Sequence, residues 1–512
     1  MSKFSDDILR DVPRGVTSRR LGQQARPQAR WQDPEKNYAS ERLAYDPKNP
    51  GSKLLVGAIG DKLIGIEDNR HALTVAGSRS GKSVTLIGNL LFYQGSILAT
   101  DPKGELAAIT ARRRAELGQR VCVLDPFGYT PKAISKYRAS YNPLSVLNSE
   151  SSTIIEDANL IADAMIISAS GSKDPHWDDC ARDLIEGLLL HIATDPAHEH
   201  ARSLLTLRDL INRALIEIPE EEETDEVFEL ERAMLVNAAR LQSDPKLGDL
   251  GRSVEGSARG FFEKTDKERD GVLSTVRRHT KFLDYSALRS VLSGHDFDLA
   301  DLKRDQKGLS VYLCFPATRT EMASRWLRIF INQLLDAMER EKTAPKAPVL
   351  ACLDEFPVLG YMRQIETAAG QIASFGVKLW TILQDWSQGK ALYGDRWETF
   401  AANAGIMQFF SNNDLATTEY IAKRLGKTLT EVSRSGEVGR EQEQYGLSGR
   451  SSSAELHDLL APEEISRLFS RDDRLKRQLV LWSGYHPMVL QRAEYFDTSG
   501  ALHGHFKGNY DA

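Results

Sequence analysis

The stretch Ala76-Gly77-Ser78-Arg79-Ser80-Gly81-Lys82-Ser83 contains the residue types that grip phosphate. Small residues let successive backbone N–H groups turn toward an anion. A lysine adds positive charge, and a serine hydroxyl offers oxygen to a divalent cation. The apolar run Ala72-Leu73-Thr74-Val75 before it reads as a buried strand, and Val84-Thr85-Leu86-Ile87 onward reads as helix. Strand, glycine-bearing loop, Gly-Lys-Ser and helix is the order of a P-loop, because the helix N-terminus completes the anion cradle. The candidate nucleotide-binding residues are therefore Gly77, Ser78, Arg79, Ser80, Gly81, Lys82, Ser83 and Val84. The pattern G-x-x-x-x-G-K-[ST] fails at its first position, Ala76, so Gly77 is expected to take the tight turn.

Two further stretches answer the loop. Val349-Leu350-Ala351-Cys352-Leu353 is an apolar run that delivers Asp354 and Glu355 to its end. In a P-loop ATPase the first acid supports Mg²⁺ with the P-loop Ser83, and the second activates the attacking water. Val377-Lys378-Leu379-Trp380-Thr381-Ile382-Leu383 is another such run and ends in Gln384, an amide suited to sensing the γ-phosphate. Lys82, Glu355 and Gln384 are the candidate catalytic residues, Ser83 and Asp354 the candidate metal ligands, and ATP and Mg²⁺ the expected cofactors.

Strands and helices must hold these groups at one edge. Ser96–Thr100 reads as a strand ending at Asp101-Pro102-Lys103-Gly104-Glu105, and Arg120–Leu124 as one ending at Asp125. Strands alternating with helices predict a parallel α/β sheet, which binds ligands at the carboxyl ends of its strands. From about 150 to 300 the 3.6-residue period takes over, as in Ile154–Ile161 and Ala181–Leu190, and predicts an inserted all-α domain. Strands resume near Leu309, and Leu479–Trp482 and Met488–Gln491 read as edge strands. Asn412-Asn413-Asp414 can cap a helix running to about Leu425. Residues 428–455, rich in Ser, Gly and Glu, read as a mobile loop. The expected organisation is a basic, flexible arm over 1–50, a nucleotide-binding domain in two parts over 51–150 and 301–495, the helical insert over 151–300, and a tail over 496–512.

Composition sets bounds. A length of 512 residues allows two or three domains, and 41% apolar with 27% charged residues is globular. A net charge of −6 excludes a uniformly basic nucleic-acid binder. The first thirty residues carry seven Lys/Arg against three Asp, a net of +4, so an anionic contact there would be local. Glu220–Glu226 is an acidic run that reads as a solvated face. Four cysteines without a C-x-x-C spacing predict free thiols in a reducing compartment. His176, His198, His200 and His279 lack ligand spacing. No run approaches the roughly 18 apolar residues of a membrane span, so a cytoplasmic location is expected.

The ordered series of motifs resembles the coupling proteins of type IV secretion and conjugative DNA transfer. The P-loop with alanine first, Asp101-Pro102-Lys103-Gly104-Glu105, Tyr141-Asn142-Pro143-Leu144 and His176-Trp177-Asp178-Asp179-Cys180-Ala181 all match that family. So do Thr280-Lys281-Phe282-Leu283-Asp284, His295–Leu299, Ile331-Asn332-Gln333-Leu334-Leu335, Leu353-Asp354-Glu355-Phe356, Leu383-Gln384-Asp385-Trp386-Ser387-Gln388 and Leu460–Ile465. The likeness covers about 50 to 495. It implies a RecA-like P-loop NTPase domain with a parallel central sheet, an inserted all-α domain that receives substrate, and a hexameric ring when active. It also implies an ATPase that brings DNA, expected to be single-stranded, or a relaxase-type nucleoprotein to a secretion channel. Lys82, Ser83, Asp354, Glu355 and Gln384 fall on the family's nucleotide-site positions.

The sequence departs from the family twice. Relatives usually carry N-terminal transmembrane helices, which this sequence does not show, so either a soluble variant or a truncated form is expected, with docking at the inner membrane through a membrane-anchored partner. Some relatives place a trans-acting arginine about eleven residues before the sensor Gln, where this chain has Ala373, leaving Arg424 and, more weakly, Arg434 as stand-ins. Two other functions compete: another DNA-translocating motor of the same class, and an adaptor that recruits protein effectors with little motor activity.

Overall fold

The computed structural model describes residues 29–167, 175–217, 228–435 and 450–506. The arm before residue 29, the acidic run 220–226, residues 436–449 of the Ser-rich stretch and the end of the tail lie outside the described residues. In chain order the strands are β1 (Leu54–Ile59), β2 (Lys62–Ile66), β3 (His71–Ala76), β4 (Ile97–Asp101) and β5 (Arg120–Leu124). They continue with β6 (Leu309–Cys314), β7 (Val349–Leu353), β8 (Val377–Leu383), β9 (Ala404–Phe410) and β10 (Lys427–Ser435). The last three are β11 (Arg450–Asp458), β12 (Arg477–Trp482) and β13 (Met488–Gln491). Among the described residues no helix is long and apolar enough to cross a membrane.

The chain divides into two compact units. The first takes the residues up to Gln94, Cys352–Pro357 and the chain from Lys378. Its strands follow the order β2-β1-β13-β12-β9-β3-β8. β3 pairs in parallel with both β8 and β9, whereas β12 pairs antiparallel with β9, and β13 with β12 and β1. Every residue of β3, β8 and β9 is buried, as expected for strands covered on both faces. The parallel sheet predicted from sequence thus carries an antiparallel flank. β12 and β13 lie inside that order and not at its edge, because β1 and β2 close beyond them.

Two local readings are corrected here. The arm expected over 1–50 contains regular structure: Asp33 caps a short helix, Pro34–Ala39, by accepting from Glu35 N at 3.0 Å. The stretch 428–455 is not a plain loop. β10 and β11 form a nine-residue antiparallel ladder from Lys427↔Asp458 to Ser435↔Arg450. Ladder hydrogen bonds to a strand that lies beyond an intervening stretch of chain outweigh a Ser-rich composition. The predicted cap is present, since Asp414 accepts from Thr417 N at 2.8 Å ahead of the helix Leu415–Leu425.

The second unit holds Gly95–Ala351 and Val358–Val377. β4 and β5 both pair in parallel with β6. Helices make up most of the chain between Ile154 and Leu292. The motif segments here are scaffold. The Asp101 carboxylate accepts from Ala107 N at 2.9 Å, at the start of the helix Glu105–Glu116, and burial raises its pKa to about 6. Asp125 accepts from Tyr129 N and Thr130 N at 3.0 and 2.8 Å. Tyr141 donates to Gln333 at 3.1 Å while Gln333 donates to the Pro143 carbonyl at 2.7 Å. Arg208 forks onto Asp284 at 2.7 and 2.5 Å.

Candidate functional site

All the predicted site residues lie in the first unit, where the carboxyl ends of β3 and β8 meet the chain after β7. The loop leaves β3 at Ala76 and enters the helix Lys82–Leu90. Arg79 has a φ of 55° and Gly81 a φ of 92°, a left-handed alternation that aims backbone N–H groups into one concavity. Ser80 is buried, and its hydroxyl ties the loop by donating to the Gly77 carbonyl at 2.6 Å. Asn89 pins the helix to β1, accepting from Leu55 N at 2.8 Å and donating to Leu55 O at 2.9 Å.

Gly77 takes the position that the sequence pattern left uncertain. A Cβ there would stand 2.3 Å from the Ser411 carbonyl oxygen. That oxygen is backbone at the end of β9, so it cannot swing away. Gly77→Ala is therefore expected to cost about 1–3 kcal/mol by overpacking and to weaken nucleotide binding, measured by thermal unfolding with and without nucleotide. An unchanged melting profile and affinity would show that the loop has room.

Lys82 Nζ donates to the Ala76 and Gly77 carbonyls at 3.0 and 3.4 Å. Ser83 Oγ lies 3.5 Å from Asp354 Oδ2, and Asp354 is buried. Gln384 Nε2 donates to both oxygens of Glu355, at 3.0 and 3.3 Å. Ser83 with Asp354, and Glu355 with Gln384, thus form two touching pairs beside the loop that carries Lys82. Ser78 and Arg79 are exposed at its outer rim. Val84 is half-buried in the helix's first turn.

Packing fixes the pair formed by Glu355 and Gln384. Glu355 is left-handed, with φ 58°, and the fully buried Phe356 follows it. Phe356 lies 6.0 Å from the Tyr393 ring and 5.9 Å from Phe400. Two residues after Gln384, buried Trp386 packs 5.3 Å from Trp397, which stacks on Phe400 at 5.2 Å. One aromatic cluster therefore anchors both loops. The run Gln384-Asp385-Trp386-Ser387-Gln388 folds as a reciprocal cap. Asp385 accepts from Gln388 N at 3.0 Å, and Gln388 Oε1 accepts from Gln384 N at 2.8 Å.

Sequence reasoning missed residues that arrive from the far end of the chain. Arg492 donates to the Ser80 carbonyl, and its guanidinium lies 5.1 Å from the Phe410 ring centroid. Burial lowers its pKa from the usual arginine value. Asn412 Nδ2 donates to Val75 O at 3.2 Å. Among the described residues, the non-glycine residues with positive φ are Arg79, Glu355, Ser411 and Lys476. Arg79 and Glu355 are themselves predicted site residues, and the Ser411 carbonyl packs on Gly77. The Lys476 carbonyl accepts from Arg492 N at 2.9 Å. Strained backbone of this kind persists where the surroundings over-determine it, and here it converges on the P-loop. Arg424 is exposed at the end of its helix and Ala373 sits in the turn Ile372–Phe375. Arg434 lies on β10.

Comparison with known proteins follows the same lines. The chain is 26% identical over 435 residues to the type IV secretion system-coupling protein VirD4 of Bartonella quintana (strain Toulouse), covering 83% of this chain and 63% of that protein. It is 27% identical over 433 residues to the conjugal transfer protein TraG of Agrobacterium fabrum, covering 83% and 60%. The chain therefore spans less than two thirds of the length of these relatives. Among solved structures, the bacterial conjugative coupling protein TrwBdeltaN70 superposes with a TM-score of 0.62 at 14% identity, over 93% of this chain and 96% of that one. At that identity the likeness is one of fold. TrwB has also been solved with a non-hydrolysable ATP analogue and with ADP and Mg²⁺. The sequence profile of the type IV secretory system conjugative DNA transfer family matches residues 26–507, and this chain belongs to that family.

Proposed function

We propose that the chain is a Mg²⁺-dependent ATPase that couples DNA or nucleoprotein to a type IV secretion channel. The observation that carries this reading is the convergence, within one unit, of Lys82 and Ser83 with Asp354, Glu355 and Gln384. The family membership and the nucleotide complexes of TrwB support it.

The residues fit the cofactor. A serine hydroxyl and a carboxylate oxygen 3.5 Å apart are hard oxygen donors of the kind Mg²⁺ prefers, so Ser83 and Asp354 would hold it. Bound Mg²⁺ supplies charge neutralisation at the phosphates. The loop N–H groups and the Lys82 ammonium supply fixed positive charge that needs no rearrangement during reaction. Glu355 orients a water and accepts its proton, and Gln384 keeps that carboxylate aimed. The DNA cargo, the membrane-anchored partner and the active hexamer belong to the same proposal, as does work at the inner-membrane surface.

The test is ATP hydrolysis by the purified chain, with and without single-stranded DNA. Stimulation of several-fold or more is expected if nucleic acid is the cargo. Hydrolysis indifferent to DNA would overturn the DNA part of the proposal and favour protein cargo. Absence of hydrolysis under every condition, with ATP bound, would favour an adaptor.

A further inference from the structure

We propose that the cavity beside Arg492 receives the base and sugar of the nucleotide whose phosphates the P-loop grips, which rests on the nucleotide-binding reading above. The cavity is about 350 Å³, within the usual size range of small-molecule sites. Lys476, Arg492, Glu494, Asp497 and Ala501 line it. Its link to the P-loop is direct, since Arg492 donates to the Ser80 carbonyl and its Nη1 lies 3.8 Å from where a Gly81 Cβ would stand.

Strand order gives the direction. β8, which presents Gln384 against Glu355, flanks β3 on one side, and β9, β12 and β13 follow on the other. The reacting phosphate must face Glu355. The rest of the nucleotide then leaves away from β8, toward the side where Arg492 follows β13. The cavity opens there.

The lining chemistry suits a nucleoside. Glu494 and Asp497 both pair with the Lys476 ammonium, the second at 3.3 Å, which holds them in place. A carboxylate has more acceptor sites than one lysine uses, so each can also accept from a ribose hydroxyl. A guanidinium offers a flat cationic face to an aromatic base. Arg492 is itself held from below, by Phe410 and by the Lys476 carbonyl, which accepts from its N and Nε at 2.9 and 3.4 Å. The left-handed Lys476, φ 52°, thereby serves the site. Arg492 is a positioning residue and Glu494 a specificity residue on this account.

Calorimetric titration of the full chain with ATP, 2′-deoxy-ATP and inorganic tripolyphosphate tests the proposal. Wild type is expected to prefer ATP to tripolyphosphate. Ala501→Trp fills the cavity and should weaken ATP by about tenfold or more while leaving tripolyphosphate unchanged. Glu494→Gln, a milder change, should narrow the gap between ATP and 2′-deoxy-ATP. Equal weakening of ATP and tripolyphosphate in Ala501→Trp, or wild-type ATP affinity in that variant, would overturn the base site and leave the nucleotide-binding reading standing. Wild type that binds neither ATP nor tripolyphosphate would overturn both.

Discussion

Lys82→Ala is expected to lower ATP hydrolysis by about 10²–10³-fold, the usual effect of removing one preorganised charge from a reacting oxyanion. Phosphoryl transfer leaves the protein little covalent chemistry, so positioning and electrostatics carry the rate. The Lys82 ammonium is held at the mouth of the loop by the Ala76 and Gly77 carbonyls, 3.0 and 3.4 Å away. Its side chain is only half-buried, so truncation leaves no core cavity. The fold should survive, and circular dichroism beside a phosphate-release assay separates the two effects. Wild-type turnover in a folded Lys82→Ala protein would remove Lys82 from the mechanism and the P-loop from the proposed function.

Glu355→Gln should retain ATP binding and lose turnover by about 10²–10⁴-fold, the range that general-base catalysis contributes. Glutamine has nearly the same volume and still offers an oxygen to Gln384 Nε2, which now donates to both carboxylate oxygens at 3.0 and 3.3 Å. What it loses is the ability to take a proton. The expected signature is therefore a fall in kcat with KM little changed. Single-turnover hydrolysis beside equilibrium ATP binding reads both quantities. A kcat near wild type would mean that Glu355 only shapes the loop. A rise in KM at unchanged kcat would assign it to ground-state binding.

These predictions come from residues that could be read in the chain because their chemistry is local. A phosphate loop needs glycine at left-handed positions and a lysine at the helix start, so Gly81 and Lys82 stand where φ and charge demand them. A buried parallel strand is a short apolar run, and polar residues follow it where the chain leaves the sheet. Val349–Leu353 before Asp354 and Glu355, and Val377–Leu383 before Gln384, followed that rule. The helical stretch between Ile154 and Leu292 was legible from its 3.6-residue period.

Other features depended on partners distant in sequence. The β10–β11 ladder was hidden because the serine run Ser451-Ser452-Ser453 carries no strand signal and only pairing supplies one. β12 and β13 read as edge strands because nothing within them announces that β1 and β2, more than 400 residues earlier, will close beyond them. That closure carries Arg492 to the Ser80 carbonyl, a contact across 412 residues of chain. By itself the sequence determined which residues are the candidates for holding phosphate, metal and water, since loop geometry and charge depend on near neighbours. Only the tertiary structure decided what braces that loop, since strand order and long-range packing set where Ser411, Lys476 and Arg492 arrive.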